Sequence, residues 1–200
     1  MTYTIVGLGN KGDEYRATRH NVGRIMLEKL RKKFGFSEWE PESKDEKKNK
    51  FLYAKGHIGK HSVTLVLPEL FMNKSGVSIA PLITSKKKAE NLVVVYDDID
   101  LGFHDHKISY GRSSGGHRGI ESIIKSLKTK DFVRVRIGIA PTTSSGKVQK
   151  PKGEEKVLQF LMGDFGKKEV EAFPIISRTI NEIIETIVTE GRIPAMNAHN

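Results

Sequence analysis

The stretch Thr2–Asn10, which reads TYTIVGLGN, decides the kind of fold. Its mostly apolar run from Tyr3 to Leu8 predicts a short buried strand. The glycines in and after this run let the chain turn tightly and leave Asn10 at the carboxyl end of the strand. Ligands of open α/β sheets bind beyond the carboxyl ends of the strands, so Asn10 is a candidate site residue.

Strand-like and helical patterns alternate along the rest of the chain. The strands predicted at 51–58 and 62–67 are close enough to form a hairpin, which makes the sheet a mixed one. The predicted fold class is α/β, with a single-domain mixed β-sheet and helices on both faces. The other predicted strands are 92–96, 107–110 and 132–140, and the predicted helices are 22–34, 75–83, 119–127, 155–162 and 167–190. Residues 1–193 are predicted to form the domain, 194–200 a frayed tail, and 38–50 and 141–156 surface loops.

Composition narrows the class of protein. The chain has 200 residues and no cysteine, which excludes disulfides and metal–thiolate centres and fits a reducing compartment. We find neither a signal peptide nor an apolar run of the ~18 residues that a membrane span needs, so a cytoplasmic protein is expected. The formal net charge of +10 favours a polyanionic partner such as a nucleic acid, although a lysine-rich surface can also serve solubility alone.

Three glycines of the first loop, Gly7, Gly9 and Gly12, also match the dinucleotide-binding pattern G-x-G-x-x-G. That pattern requires a helix to begin at the third glycine and an acidic residue after a second strand about 20 residues further on. Here the helical periodicity begins only near Asn21, and residues 31–36 are helical in pattern rather than strand-like. A nucleotide-dependent enzyme is therefore the weaker interpretation of this loop.

Four other segments carry side chains suited to chemistry. His20 comes just before a predicted helix, on the side of the sheet where the first strand ends, and could act as a base. Asn73 lies at a predicted helix start, where asparagine is also a common N-cap. A cluster of acids that begins with Asp97 ends a buried strand, and the glycine-rich residues 113–119 lead into a helix. Each has a plainer interpretation: a surface or core histidine, a cap, a solvated turn and a flexible loop.

Five strings of the sequence resemble, in order and in spacing, the bacterial-type peptidyl-tRNA hydrolase family. They are IVGLGNKGDEYRATRHNVG, FMNKSG, VVYDDIDL, SSGGHRGIESI and FVRVRIGI, and the resemblance extends to at least Phe165. It implies one mixed-sheet α/β globule, usually monomeric and without a cofactor or metal. The implied activity is hydrolysis of the ester bond between a peptide and tRNA, so the implied partner is peptidyl-tRNA.

The same resemblance implies roles for individual residues. His20 would be the general base, Asp97 would orient and polarise it, and Asn10 would hold the reacting ester. The implied substrate-binding residues are Tyr15, Phe71, Asn73, Gly116 and Arg118, and the implied tRNA-binding residues are Lys107 and Arg136. Further basic candidates for contact with RNA are Arg112, Arg134, Lys147, Lys150 and Lys152.

The residue types suit this chemistry. Imidazole has an unperturbed pKa of about 6.5, so it can accept a proton from water at neutral pH. A carboxylate on its other ring nitrogen fixes the tautomer and stabilises the imidazolium. Neutral amides can donate hydrogen bonds to an oxyanion, or recognise a peptide backbone whatever its side chains. No serine lies in a nucleophile-elbow pattern, so direct attack by water is favoured over a covalent intermediate.

Two positions depart from the family's usual pattern. Lys11 stands where the family usually has proline, which makes the first loop slightly less rigid. Arg118 stands where the family usually has asparagine, and arginine is longer, cationic and without an acceptor. We hypothesise that Arg118 grips terminal phosphates and that activity survives, but the change leaves open a non-catalytic RNA-binding protein on the same scaffold. A metal site is a further alternative that lacks a clear third ligand; its candidates are His57, His61, His104 and His106.

Overall fold

The computed structural model describes residues 1–200 and contains one seven-stranded sheet, with the strand order β2-β3-β4-β1-β5-β7-β6. The four central strands β4, β1, β5 and β7 are parallel, and β2, β3 and β6 are antiparallel to their neighbours. The strands are β1 (Thr2–Gly7), β2 (Glu40–Pro41), β3 (Phe51–Ile58), β4 (His61–Pro68), β5 (Leu92–Gly102), β6 (His106–Tyr110) and β7 (Val133–Ala140). The predicted mixed sheet and the predicted hairpin of β3 and β4 are both confirmed.

Eight α-helices cover the two faces of this sheet. They are α1 (Val22–Lys33), α2 (Ser75–Ile79), α3 (Lys86–Glu90), α4 (Arg118–Leu127), α5 (Glu154–Met162), α6 (Lys167–Glu171), α7 (Phe173–Thr189) and α8 (Arg192–His199). The buried side chains of α1 and α7 belong to a core cluster of 28 residues, and those of α2 and α4 belong to a second cluster of 14 residues. None of the eight helices combines the length and the apolar character needed to cross a lipid bilayer.

The central strands are apolar on both faces because each face packs against helices. In β5, Val93 and Val95 point into the larger core, whereas Leu92 and Val94 point into the smaller one. This arrangement leaves the polar residues of β5 near its carboxyl end, which is where Asp97 lies. The fold therefore places polar side chains such as Asp97 at the carboxyl ends of the parallel strands, where α/β sheets usually bind ligands.

Glycines of the first loop serve helix–sheet packing. A Cβ atom on Gly23 would lie 2.3 Å from the Val95 carbonyl oxygen, and one on Gly7 would lie 2.5 Å from the Gly23 carbonyl oxygen. Glycine at both positions thus lets α1 lie directly against β1 and β5. Gly12 is followed by two short 3-10 turns, and α1 begins only at Val22, so the dinucleotide interpretation of this loop is wrong.

Several predicted boundaries shift in the structure. The helix predicted at 75–83 ends at Ile79, and the one predicted at 167–190 is two helices that meet at Ala172. The strand predicted at 92–96 continues to Gly102 through an irregularity in its pairing with β7, so the acids lie within the strand rather than after it. The short helix α3 was not predicted, because its three consecutive lysines hide any apolar periodicity.

The predicted frayed tail is wrong, because residues 192–199 form α8 and pack against α7. Ala195 is completely buried. The Asn200 side-chain amide donates to the Ile108 carbonyl oxygen (3.0 Å) and accepts from the Ile108 amide nitrogen (2.7 Å). These two bonds attach Asn200 to the edge strand β6. They could not be predicted, because no sequence pattern links an asparagine at position 200 to Ile108.

Candidate active site

His20 lies on a 3-10 turn that immediately precedes α1. The backbone on either side of this turn is fixed by distant residues: the Arg19 amide donates to the Gly163 carbonyl (3.0 Å), and the Phe165 amide donates to the Ala17 carbonyl (3.0 Å). The Arg19 guanidinium stacks over the Phe160 ring, 4.6 Å from its centroid. The position of His20 thus depends on a segment more than 140 residues further along the chain, which sequence patterns do not reveal.

Asp97 of β5 lies against the His20 ring. The Nδ1 atom of His20 is 3.0 Å from each carboxylate oxygen of Asp97, and Asp97 is only 2% exposed. A carboxylate accepts hydrogen bonds, so Nδ1 carries the proton and donates it. The Nε2 atom of neutral His20 is then left with a free lone pair, as a proton acceptor requires.

A second histidine, His117, binds the same carboxylate. Its Nε2 atom is 3.1 Å from Asp97 Oδ1, and its Nδ1 atom accepts a hydrogen bond from the Ile120 backbone amide (3.3 Å). The bond from Ile120 assigns the proton to Nε2, which donates to Asp97. Sequence reasoning assigned no role to His117. Its place at the N-cap of α4, after a glycine-rich loop, was the available signal.

The charge state of this trio follows from its contacts. Burial alone would raise the pKa of Asp97, but attraction to His20 and His117 and their hydrogen bonds hold it well below its usual range. Burial would lower the pKa of His20, and the charge of Arg118 acts in the same direction. The Asp97 charge and hydrogen bond outweigh both and raise the pKa of His20. The carboxylate therefore stays ionised and makes His20 a stronger base than free imidazole.

Asn10 is buried and held on three sides. Its backbone amide donates to Asn21 Oδ1 (2.8 Å), and its carbonyl accepts from Asn21 Nδ2 (3.0 Å). Its own Oδ1 accepts from the Met72 amide (2.8 Å). Since the side-chain oxygen faces an N–H donor, the Asn10 amide orientation is determined and Nδ2 is left to donate elsewhere; its one contact is the Met162 sulfur at 4.0 Å. Asn21 directly precedes α1, but its side chain makes no capping hydrogen bond and positions Asn10.

An open cleft of about 810 Å³ extends from His20 to the edge strand β6. One wall is apolar and consists of Val157, Leu158 and Leu161 of α5. Of the predicted site residues, His20, Asp97, Lys107, Gly116, Arg118 and Arg136 line the cleft. Asn10, Tyr15, Phe71 and Asn73 are not part of its wall; Phe71 and Asn73 are exposed, and Met72 between them bonds to Asn10.

Arg134 and Arg136, two candidates for contact with RNA, differ in how far their side chains are buried. Arg134 is 1% exposed, donates to the Ser113 carbonyl (2.6 Å) and to the Arg112 carbonyl, and stacks on Phe132. Its candidacy for RNA contact is therefore wrong: Arg134 lies on the same face of β7 as Arg136, but its guanidinium is buried against the glycine-rich loop and holds two carbonyl groups at the start of that loop. Arg136 is more exposed than Arg134 and lies in the cleft, where its Nε atom donates to Asp98 Oδ2 (2.5 Å).

Ion pairs connect the segment 141–156 to both sides of the cleft. Arg118 at the start of α4 pairs with Glu154 at the start of α5, and Lys150 pairs with Asp100 of β5. All four side chains are about half exposed or more, so each pair is weak and can exchange for another partner. Arg118 is therefore held by a carboxylate at the cleft rather than left free.

The histidines of the proposed metal alternative do not come together. His104 has a left-handed backbone (φ 81°) in an exposed turn, whereas His106 begins the strand β6, so the two side chains do not follow the alternation of one extended segment. The one group of three potential ligands is His20, Asp97 and His117, whose ligand atoms lie within 4.8 Å of one another. Both imidazole nitrogens that face Asp97 already share a proton with it, so a metal ion would have to replace those protons.

Activation of water needs a base with one anchored ring nitrogen and one free ring nitrogen. His20 meets both conditions, because Asp97 anchors its Nδ1 atom and its ring lines the cleft. The class of protein defined by this fold and site is a hydrolase with a mixed β-sheet covered by helices on both faces. The family model described as "Peptidyl-tRNA hydrolase" matches residues 4–200, so the chain belongs to the peptidyl-tRNA hydrolase family. The resemblance seen in the sequence is confirmed.

Individual relatives agree with the family model. The chain is 32% identical over 197 residues to the peptidyl-tRNA hydrolase of Syntrophotalea carbinolica, which covers 98% of this chain and 95% of the relative. It is 36% identical over 199 residues to that of Lachnoclostridium phytofermentans, with 99% and 96% covered. The crystal structure of peptidyl-tRNA hydrolase from Acinetobacter baumannii superposes with a TM-score of 0.82 at 28% identity, over 100% of this chain and 94% of that one.

Proposed function

We propose that this protein hydrolyses the ester bond between a peptide and tRNA, with His20 as the general base. The observation that carries the proposal is the hydrogen bond between His20 Nδ1 and the buried Asp97 carboxylate, in a cleft that Lys107 and Arg136 also line. Family membership supports the substrate, and the geometry supports the roles of the individual residues.

In the proposed reaction, His20 Nε2 takes a proton from a water molecule as its oxygen attacks the ester carbonyl carbon. The carbonyl oxygen becomes an oxyanion and accepts a hydrogen bond from Asn10 Nδ2, the one donor of that amide without a strong partner. When the intermediate collapses, the bond to the ribose oxygen breaks, and that oxygen takes the proton from the His20 imidazolium. Asp97 remains ionised throughout and stabilises the transient positive charge.

The two parts of the substrate would occupy different surroundings. Lys107 and Arg136 lie on the β6 side of the cleft, and their contacts with RNA phosphates and sugars would be independent of sequence. Asn10 connects the other side of His20 to the segment that carries Phe71 and Asn73. Those exposed side chains, together with the half-buried Tyr15, would contact the peptide.

The decisive experiment is hydrolysis of a peptidyl-tRNA or an N-blocked aminoacyl-tRNA by the purified protein. Release of free tRNA and peptide supports the proposal. RNA binding without hydrolysis would favour the alternative of a non-catalytic RNA-binding protein. The same assay in EDTA tests the expectation that no metal takes part, because chelation would stop a reaction that needs an ion at His20, Asp97 and His117.

The pH dependence of kcat/KM should report the titration of His20. Only neutral His20 can accept a proton, so activity is lost as the pH falls through the pKa of His20. Because Asp97 raises that pKa, we expect the midpoint of the acid limb to lie above pH ~6.5, the value of free imidazole. Initial rates between about pH 5 and pH 8 would measure it. A midpoint at or below that of free imidazole contradicts the assignment of His20 as the anchored base.

Replacement of Arg118 by asparagine tests whether this side chain contacts phosphate. If Arg118 leaves Glu154 and neutralises one phosphate of the bound RNA, the slope of log(kcat/KM) against log[salt] should fall by about 0.7 to 0.9 in Arg118→Asn. We expect kcat to change less than KM. The matched variant Glu154→Gln frees Arg118 from its internal partner and should lower KM. An unchanged salt slope in Arg118→Asn excludes a phosphate contact.

A further inference from the structure

Six exposed lysines lie together at the end of the sheet opposite the cleft. They are Lys86, Lys87 and Lys88 of α3, Lys125 of α4, and Lys128 and Lys130 just after it, and we call them the far lysine patch. A notch of about 180 Å³ joins the two segments: Ser85 and Lys86 line one side of it, and Ser126 and Thr129 line the other.

The far lysine patch is well separated from the cleft. α3 ends at Glu90, and β5 then runs from Leu92 to Asp97 over a distance of about 16 Å at the usual rise of a strand. α4 covers a similar distance, because its ten residues from Arg118 at the cleft to Leu127 at the patch rise about 15 Å. The patch is therefore about 15 Å from the cleft end of α4, and none of its six lysines belongs to the cleft wall.

Its positive charge is not neutralised within the protein. None of the six lysines forms an ion pair with a carboxylate, whereas Lys11, Lys32, Lys48 and Lys150 all do. The nearest acids in sequence are Glu90, Asp131 and Glu121, which lies four residues before Lys125 on α4. Glu90 and Asp131 lie close enough to Tyr110 to affect its titration, and Glu121 accepts a hydrogen bond from Ser114. Six positive charges thus face solvent with three negative charges near them in sequence, none of which forms an ion pair with a patch lysine.

The side chains around the patch indicate the kind of partner. Residues 85–90 and 124–131 contain no aromatic residue, and none of the exposed large hydrophobic side chains lies in them. Protein interfaces need apolar or aromatic anchors, and single-stranded nucleic acid is usually bound by aromatic stacking platforms. Flexible lysines around hydroxyl groups instead suit a phosphate backbone with sugar hydroxyls.

We propose that the far lysine patch is a second RNA-binding surface, which holds the backbone of an RNA duplex outside the cleft. The notch between α3 and the end of α4 would receive the ridge of the backbone, with Ser85, Ser126 and Thr129 facing phosphate or 2′-hydroxyl groups. This surface does not depend on the proposed ester hydrolysis, because it uses none of the residues around His20.

Duplex binding can be measured by fluorescence anisotropy with a blunt RNA duplex across a salt series. In a variant with Lys86→Gln, Lys88→Gln, Lys128→Gln and Lys130→Gln, the slope of log Kobs against log[salt] should fall by about 3 to 4, since each phosphate contact on a duplex contributes about 0.9. Affinity at low salt should fall at least about tenfold. The matched control replaces four exposed, unpaired lysines elsewhere with glutamine, namely Lys44, Lys47, Lys50 and Lys60, and should change the slope by less than about one.

A second measurement separates this surface from the cleft. The blunt duplex should not inhibit hydrolysis of an N-blocked aminoacyl ester of a short CCA oligonucleotide, which is too small to reach the patch. Competition between the two would show that the duplex occupies the cleft and would overturn the proposal. Equal slopes in the four-lysine variant and its control would also overturn it, as would binding to phosphatidylserine vesicles without binding to the duplex. Because duplex binding is read without turnover, failure of the proposed hydrolysis would leave this test intact.

Discussion

His20→Ala is expected to lower kcat for peptidyl-tRNA hydrolysis by about 10²- to 10⁴-fold, the usual range for loss of a general base. The variant removes the only imidazole nitrogen of the site that is free to accept a proton, because both nitrogens of His117 are used, one towards Asp97 and one towards Ile120. RNA affinity should change little, since phosphate contacts are expected from basic side chains. Single-turnover kinetics and filter binding measure the two effects separately.

The control for this variant is His57→Ala. His57 is exposed on β3, outside the cleft, so its loss should leave both kcat and RNA affinity unchanged. A thermal melt of both variants guards against loss of folded protein. If His20→Ala keeps more than about a tenth of the original kcat, the base lies elsewhere in the molecule.

Asp97→Asn is expected to lower kcat by about 10³- to 10⁴-fold, close to the cost of the same change in another histidine–aspartate pair. The asparagine can offer an N–H to His20 Nδ1, which would move the ring proton to Nε2 and remove the lone pair that takes a proton from water. Without the carboxylate, burial and the charge of Arg118 act unopposed on His20, so its pKa should fall below the ordinary value. The acid limb of the residual activity should then move to lower pH.

The shift of the acid limb distinguishes a positioning carboxylate from one that only stabilises the fold, because general destabilisation would lower activity at every pH. Asp105→Asn is the matched control: it makes the same change in an exposed turn and should leave the pH profile unchanged. An Asp97→Asn profile that kept its original midpoint would be incompatible with the hydrogen bond to His20 as the source of the raised pKa.

Much of the fold could be predicted because its signals are local. The buried strands β1 and β5 show as apolar runs, and the hairpin of β3 and β4 shows as two such runs around a short turn. The predictions failed where tertiary contacts override local pattern. Asn200 orders the end of the described chain through Ile108, which is 92 residues away in sequence, and Arg134 is polar in pattern yet buried against two carbonyl groups.

The site could be predicted only in part, and for the same reason. The resemblance supplied His20 and Asp97, and the structure places them in contact. His117 was missed because a histidine after a glycine-rich loop looks like a helix cap, and it does cap α4 while also binding Asp97. The role of Asn21 was also missed: its side-chain amide pairs with both backbone groups of Asn10, a contact that no local pattern reveals.

The two hydrogen bonds between Asn200 and Ile108 affect whether an extended peptide can add to the sheet as a further strand. β6 is an edge strand of the sheet and lies beside the cleft. The unpaired backbone of an edge strand can bind an extended peptide by strand addition. At Ile108 both outward backbone groups are already occupied, and the opposite edge strand, β2, is only two residues long. An extended peptide therefore cannot pair with β6 at Ile108, and β2 is too short to pair with a long strand. Both features disfavour the addition of a further strand to the sheet.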